Sequence, residues 1–577
     1  MSSREPAKDL SYRLVHVEEF DALNIEIPKD VGDAKDGPSD AARSDDGIDR
    51  AWLYKRLGKY PAKEHARKVA KELGVDSGII FLPGQVEKLY EDSDMTFEFR
   101  QRRYFYYLTG VNVPGCAVTY DIESDYLVLW APHSDPRTVL WYGKKPSVEQ
   151  YLSASDLDHV ADIQTMASTL SGIVRSGPDP KPTLYVLSPS QRPPLDLPEG
   201  VAVSIDTTSL KMAMDCARVI KTEHEIALIR RANAISSGAH KAVLHALSKC
   251  RTETDISAIY HSYCLAHGAM RQAYPAIVAS GINASTLHYD NNDQPLKGRQ
   301  LVVLDAGAEW NCYASDVTRT LPLPRIKGTS GGEGKLSFSP EAAAIYKAVY
   351  RMQKECIDLV RPGVAFYALH VHACRVAVEE LLRLGILYNG TVDEILSLGT
   401  VTAFFPHGLG HHVGLEVHDV SGPRRLLSGS SDASATDPLT AMAMALGVAP
   451  AAPAGAPRQA AAAAAAQKRE FLTPQQAGSL YKAAVELKRT GGDGGKRKGR
   501  QTLEKNMVVT IEPGIYFCRE YISAFFLSHP VHSRHIDTAV LERYWDVGGV
   551  RIEDDILVTE DGYENLTTAP KWPVASH

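Results

Sequence analysis

The sequence predicts an α+β protein of at least two domains. Three observations predict it. At 577 residues the chain is longer than a single hydrophobic core fills. Up to about residue 210, short apolar runs alternate with helical patterns. A fresh helix-start signal then opens a second region with longer helices and paired strands. Hydrophobic residues at 44% and charged residues at 23% give the balance of a globular chain.

Residues 1–48 are polar and acidic, with Pro, Gly, Asp and Ser clustered at Lys29–Asp46, the composition of a tail. A compact α/β domain is expected over 49–210. Ala62–Leu73 carries a helical pattern. Ile79–Leu82 is a short apolar run closed by Pro83-Gly84, as expected of a buried strand. Tyr126–Trp130 and Leu184–Leu187 predict two more strands.

The second domain is expected over 215–577. Thr222 and Glu225 form a capping box, T-x-x-E. Behind it Ile226, Ile229, Ala232, Ile235, Ala239, Val243 and Leu247 share one helical face. Ser339-Pro340 opens a further helix, with Ser as N-cap and Pro in the first turn, ended by Arg361-Pro362-Gly363. A third runs from Phe366 to Leu384, with Gly385 placed to cap it. Residues 424–505 differ in kind. They hold GSSDASATD, an alanine run at 460–466 and the basic cluster KRKGR at 496–500, without any sustained core-forming period. We read them as a low-complexity surface insertion with one helix near Thr473–Arg489.

Composition also excludes several classes. A net charge of −7 disfavours a bulk electrostatic partnership with nucleic acid or an anionic membrane. Eight scattered cysteines contain no C-x-x-C pair, which argues against a thiolate zinc site and for free thiols in a reducing compartment. No apolar run approaches the roughly 18 residues that span a bilayer. The first twenty residues lack the apolar segment of a secretory signal, so a cytoplasmic location is expected.

Four segments carry chemistry. In LVVLDAGAEWNCYASDVTRTLP, the apolar run Leu301–Leu304 predicts a buried strand ended by Asp305, a carboxylate that is costly there unless paired or coordinated. Asp316 follows, and a turn at Ala308–Cys312 would bring both aspartates together. In FFPHGLGHHVGLEVHD, histidines 407, 411, 412 and 418 interleave with three glycines that permit close backbone approach. Neutral imidazoles suit divalent transition metals. In MVVTIEPG a β-branched strand delivers Glu512. In GGVRIEDDILV, strand alternation is expected to put Arg551 and Glu553 on one face, and Val550 and Ile552 on the other. Asp305, Asp316, His411, Glu512 and Glu553 together make four carboxylates and one imidazole. Four carboxylates in one pocket repel unless cations hold them, and this donor set favours Mn with Co, Fe or Zn as alternatives.

The order DAG, Asp316, HGLGH, EPG, RIED resembles that of the pita-bread metallopeptidases. The longer strings HGLGHHVGLEVHD and GVRIEDD, with a separate N-terminal α/β domain, resemble the proline-specific branch, the fungal Xaa-Pro aminopeptidases in particular. The resemblance covers residues 50–423 and 503–570. It implies a C-terminal pita-bread fold, two Mn ions per subunit and cleavage before a penultimate proline. It implies that Asp305 binds one metal, that Asp316 and Glu553 bridge the pair, and that His411 and Glu512 bind the other. It makes His288 and His407 substrate-side groups, His418 the contact to the scissile carbonyl, and Arg551 a support for Glu553. Glu512 is the expected proton shuttle. His412 receives no role. Peptides are the expected partners, and a homodimer is expected.

Competing readings are an Xaa-Pro dipeptidase (prolidase), for which Arg497 and Arg500 are candidate anchors for the dipeptide carboxylate, and an inactive pita-bread binding module. Methionine aminopeptidase would not require the N-terminal domain, and a creatinase-like hydrolase would not require the five ligands.

Overall fold

The computed structural model describes residues 57–176, 182–197, 203–324, 336–427 and 500–572. The expected tail at 1–48, most of the insertion and its expected helix at Thr473–Arg489 lie outside the described residues.

The N-terminal elements run α1 (Ala62–Leu73), β1 (Ile79–Pro83), α2 (Arg103–Thr109), β2 (Ala117–Asp121), β3 (Tyr126–Ala131), β4 (His159–Asp162), α3 (Met166–Ser176), β5 (Leu184–Tyr185), β6 (Ile205–Asp206) and α4 (Ser209–Val219). They build one six-stranded sheet in the order β4-β3-β2-β1-β5-β6. Pairs β1–β2 and β2–β3 are antiparallel, while β3–β4, β1–β5 and β5–β6 are parallel. Alternate residues serve opposite faces. Ile80, Leu82 and Val118 pack toward α1 and α2. Phe81, Ala117, Val128 and Trp130 pack on Met166 and Leu170 of α3.

The second region begins where the capping box places it. The Thr222 side chain accepts from Glu225 N, and Glu225 reaches back to the Thr222 backbone, opening α5 (Glu223–Ala246). Every residue of the predicted apolar face, Ile226 through Leu247, is buried. After α6 (Glu253–Ala266) come β7 (Arg271–Gln272), β8 (Ile277–Ser280), β9 (Leu301–Asp305), β10 (Ala308–Trp310), β11 (Tyr313–Ala314) and β12 (Thr318–Pro322). Helices α7 (Pro340–Asp358) and α8 (Phe366–Arg383) follow, then β13 (Val508–Ile511), β14 (Gly514–Tyr516), β15 (Gly549–Arg551), β16 (Asp554–Val558) and β17 (Tyr563–Asn565). The strands form sheets β12-β9-β8, β13-β16-β17, β11-β10-β7 and β14-β15.

The layering follows from the period of two along each strand. On β9, Val302 and Leu304 join the core shared with α5 and α6, while Leu301 and Val303 join the core shared with α7 and α8. On β13 and β16, Val508 and Leu557 face the first core, and Val509, Ile511, Ile556 and Val558 face the second. Sheets β12-β9-β8 and β13-β16-β17 are thus covered on both faces, the pita-bread arrangement that the resemblance implies.

Two expectations are corrected. Ala308–Trp310 is a strand, antiparallel to Tyr313–Ala314, and the turn is confined to Asn311 and Cys312, both at positive φ. Arg551 and Glu553 do not share one continuous strand. β15 ends at Arg551 and β16 starts at Asp554, so the chain changes sheets at Ile552–Glu553. The crossing is fixed because Glu553 N donates to Thr318 O at 3.1 Å.

Asp419 ties the second region to α4 and the residues after it. It accepts from Arg218 Nη2 at 2.6 Å and from Lys221 Nζ at 2.9 Å, with a side chain 1% exposed. Burial pushes its proton affinity up, but Lys221 and Arg218 outweigh it and hold the carboxyl down to about 2. The folded-state value lies below the unfolded one. The contribution is therefore complete above about pH 4 and fades as pH falls toward 2. Asp419→Asn is expected to lose about 3–5 kcal/mol at neutral pH, because two buried cations lose their partner. Denaturant titrations should show the gap between wild type and variant narrowing on acidification below pH 4.

Candidate metal centre

Antiparallel pairing sets Asp305 at the end of β9 opposite Thr318 at the start of β12. Gly307 is required just beyond it, since a Cβ there would stand 1.8 Å from Ser315 O. The chain therefore passes close against Ser315 and brings Asp316 alongside Asp305. The Tyr274 hydroxyl lies 2.6 Å from Asp305 Oδ1 and 2.6 Å from Asp316 Oδ1, bridging the two carboxylates.

The histidine-glycine segment is extended and lies against β13. Val413 N donates to Val508 O, Thr510 N to His411 O, and Glu512 N to Leu409 O. Gly410 makes this approach possible, because a Cβ there would fall 2.1 Å from Thr510 O. The pairing puts His411 and Glu512 at one end of the same ladder. Glu553 arrives from the sheet crossing, its Oε2 accepting from Thr318 Oγ1 at 2.6 Å.

The five predicted ligands meet. His411 Nδ1 stands 3.0 Å from His412 O, so the ring proton sits there and Nε2 presents a lone pair. That nitrogen faces Asp316 Oδ2 at 3.3 Å and Glu512 Oε1 at 3.4 Å. Asp316, His411 and Glu553 each offer an atom, all within 4.8 Å of one another. Glu553 Oε1 is buried with no hydrogen-bond partner. Acceptors facing acceptors repel, and burial makes the repulsion worse. Asp316 is pushed well up by burial and by Asp305, Glu512 by burial and by Glu553, and Glu553 by burial and by Asp316. Burial holds the His411 ring neutral, down to about 4. Carboxylate oxygens with one neutral imidazole are the donor set of a hard or borderline divalent cation, so the residues fit such a group.

Around this cluster, Arg551 donates to Asp305 Oδ2 at 2.5 Å, to Thr318 Oγ1 at 3.2 Å and to the Tyr516 hydroxyl at 2.9 Å. Tyr516 in turn lies 2.9 Å from His407 Nε2. Burial, then Arg551, presses His407 down to about 3. The His418 ring stands edge-on to His411 at 4.1 Å between centroids, and His411 foremost presses it down to about 3. His288 is exposed and close enough to His407 and His418 to lower both further. His411 and Glu512 are each 17% exposed while Glu553 is 1% exposed, so the cluster opens on the side where His418 stands. His412 points away. It is buried, and its Nε2 lies 2.8 Å from Gln501 Oε1, a structural bond.

Sequence reasoning missed several residues. Tyr274 carries no signal beyond a Tyr-Pro pair before β8. Asp555, also in GVRIEDD, accepts from Asp316 N at 2.9 Å and Asn233 Nδ2 at 2.7 Å, and burial pushes it up to about 7. Arg319 is 1% exposed and donates to Thr318 O, Glu553 O, Ala569 O, Pro570 O and Asp554 Oδ1, pinning the crossing that delivers Glu553. The TRT run within β12 hints at such a residue, since an arginine in a buried strand needs partners.

Residues 227–560 match Metallopeptidase family M24, and residues 62–184 match the Aminopeptidase P, N-terminal domain. The chain belongs to metallopeptidase family M24. Its M24 relatives include the Probable Xaa-Pro aminopeptidase PEPP of Sordaria macrospora, 49% identical over 98% of this chain and 96% of the relative. A Probable Xaa-Pro aminopeptidase of Chaetomium globosum is 48% identical over 98% and 97%. Among solved structures, Pseudomonas aeruginosa aminopeptidase PepP is similar with a TM-score of 0.62 and 26% identity, over 89% of this chain and 96% of that one. Zn-substituted Escherichia coli aminopeptidase P in complex with product shares the fold, with a TM-score of 0.62 and 24% identity over 89% and 97%. An M24 metallopeptidase is a hydrolase that uses divalent metal, in keeping with the donor set. No described helix is long and apolar enough to cross a membrane.

If repulsion among these acceptors is what a cation relieves, Glu553→Gln should melt higher than wild type in chelator. With a divalent ion at a hundredfold excess over its Kd, wild type should gain about 2.7 kcal/mol and overtake the variant. Calorimetry with and without metal decides this; a wild-type melt indifferent to chelator counts against it.

Proposed function

We propose that this M24 metallopeptidase is an Xaa-Pro aminopeptidase, hydrolysing the bond between an N-terminal residue and a penultimate proline. The observation that carries the reading is the convergence of Asp305, Asp316, His411, Glu512 and Glu553, with acceptor facing acceptor at His411 and one Glu553 oxygen without a partner, in a chain whose relatives, matched over nearly their full length, bear that name. Asp305 would hold one cation, Asp316 and Glu553 would lie between two, and His411 and Glu512 would hold the other. The hard oxygens favour manganese. Such cations supply charge neutralisation, Lewis-acid polarisation and acidification of water when bound.

The chain's own residues do the rest. Glu512, whose carboxylate stands 3.4 Å from His411 Nε2, takes a proton from the attacking water and returns it to the leaving nitrogen. His418 is neutral and stands at the open side, where its N–H donates to the developing oxyanion. Arg551 orients Asp305 directly and Glu553 through Thr318, and through Tyr516 it fixes His407 facing the substrate beside His288. Proline nitrogen carries no hydrogen, so a site that demands that donor fails here, and ring shape supplies selectivity.

The domain division at 49–210 and 215–577 is part of the same proposal, as are a cytoplasmic location and a homodimer. All eight cysteines are free, which supports a reducing compartment. Light scattering tests the dimer. Of the two candidate anchors for a dipeptide carboxylate, the Arg500 guanidinium stacks on the Tyr367 ring at 3.6 Å, which favours the aminopeptidase reading; Arg497 lies outside the described residues.

Turnover of Xaa-Pro-Xaa peptides by chelated protein is expected to return with manganese, and to exceed turnover of Xaa-Pro dipeptides. Asp316→Ala and Glu553→Ala should lose bound metal and activity together. His418→Gln should keep its metal and lose about 10²–10³ in kcat. A His418→Gln enzyme of undiminished kcat, or an Asp316→Ala enzyme that turns over without metal, overturns the assignment.

A further inference from the structure

One end of the N-terminal sheet carries two exposed surfaces of opposite charge. Pro83 on β1 pairs with Ala117 on β2, and Ala117 pairs with Trp130 on β3. The segments that follow β1 and β3 therefore leave the same end of the sheet, rooted about 10 Å apart at two strand spacings.

After β3 comes a helix, Pro136–Tyr142, opened by the Asp135 side chain, which accepts from Arg137 N. None of its seven residues is buried. Leu140, Trp141 and Tyr142 are 85%, 78% and 83% exposed. Three consecutive residues sweep about 200° of a helix, so one face packed on the parent sheet could not cover them all. A helix this short is unstable in water by itself, and large apolar groups this exposed mark a surface that another body covers. The cations Lys144 and Lys145 follow at once.

After β1, residues 85–98 form a hairpin. Tyr90 N donates to Met95 O at 2.9 Å and Phe97 N to Lys88 O at 2.8 Å, with the Tyr90 and Phe97 rings 3.9 Å apart between centroids. Val86, Leu89, Tyr90, Met95 and Phe97 are between 47% and 65% exposed. Glu87, Glu91, Asp92 and Asp94 stand among them, against Lys88 as the cation of the segment. Glu98 pairs with Arg271, and Arg137 with Asp135. Among the described residues no salt bridge takes up the other four carboxylates, nor Lys144 or Lys145.

One surface is apolar and basic, its neighbour apolar and acidic, and both stay open in the same copy. Two such patches side by side are self-complementary under a twofold axis, which carries each onto the other's counterpart. Residues 85–98 and 136–148 together match the roughly 20–30 residues a side of a standard interface.

We propose that two copies of this chain dimerise through this end of the sheet, the helix Pro136–Tyr142 of each seated on the 85–98 hairpin of the other. Trp141 is the apolar anchor, and Lys144 and Lys145 meet the hairpin carboxylates. The inference rests on the homodimer proposed above and names its face.

Sedimentation velocity of the full chain over a range of concentrations tests it. Wild type is expected to be a dimer. Trp141→Glu should raise the dimer dissociation constant at least about a hundredfold, because the twofold counts the change twice. Lys144→Glu with Lys145→Glu should give a monomer, and so should Glu91→Lys with Asp92→Lys. Mixing these two double variants should restore a dimer, since both contacts of the mixed pair regain opposite charges, a result that a folding defect cannot produce. A monomeric wild type overturns the dimer itself and leaves these surfaces to another segment of the chain or to a different protein. A dimer of wild-type strength in Trp141→Glu or in either double variant, or a mixture that stays monomeric, overturns this face while the homodimer stands.

Discussion

Five acceptors pointed at one another, with too few donors among them, are the constraint around which this protein is built. A neutral imidazole nitrogen faces two carboxylate oxygens at 3.3 and 3.4 Å, and a buried Glu553 oxygen faces nothing that donates. Left alone, such a cluster drives its own carboxylates toward protonation, as the raised values of Asp316, Glu512 and Glu553 show. Divalent charge would add an attraction to each acceptor that outweighs the repulsion among them. The fold's cost in repulsion is therefore also its affinity for metal.

The surroundings make sense in those terms. Tyr274 and Arg551 supply donors to Asp305, and Tyr274 also reaches Asp316. Thr318 donates to Glu553, and Asp555 holds the Asp316 backbone. These bonds fix the carboxylates in place around the cluster, the orienting part that partners of a ligand set usually play. Arg319 acts one layer further out. By donating to backbone carbonyls at Thr318, Glu553, Ala569 and Pro570 it fixes the path by which the chain leaves one sheet for the next.

Legibility in the sequence divides along the same line. The capping box at Thr222–Glu225, the face from Ile226 to Leu247 and the helix opening at Ser339-Pro340 are local or periodic, and the structure has each of them. The five acidic and imidazole groups were legible because chemistry restricts which residue types can do that work, and the structure brings them together. Tyr274, Asp555 and Arg319 were not, because each acts through a contact across sheets that leaves no period or spacing. The alternation rule placed Arg551 and Glu553 on one continuous strand, yet the strand ends at Arg551. Both still converge on Thr318, since a crossing between sheets brings the two residues to one partner as well as a pleat would.

The N-terminal domain is joined to this chemistry through charge. His418 stands in a short loop held from both sides. Upstream, Glu416 is gripped by Arg100 and Arg103 from the N-terminal domain. Downstream, Asp419 is gripped by Arg218 and Lys221, and its backbone N–H reaches His412 O. These contacts bracket a single catalytic candidate within four residues, 416–419. A loop free at either end would sample many His418 positions, and an oxyanion donor works only where it is preorganised. A domain that supplies none of the five clustered acceptors therefore helps set the position of His418, the group proposed to face the substrate.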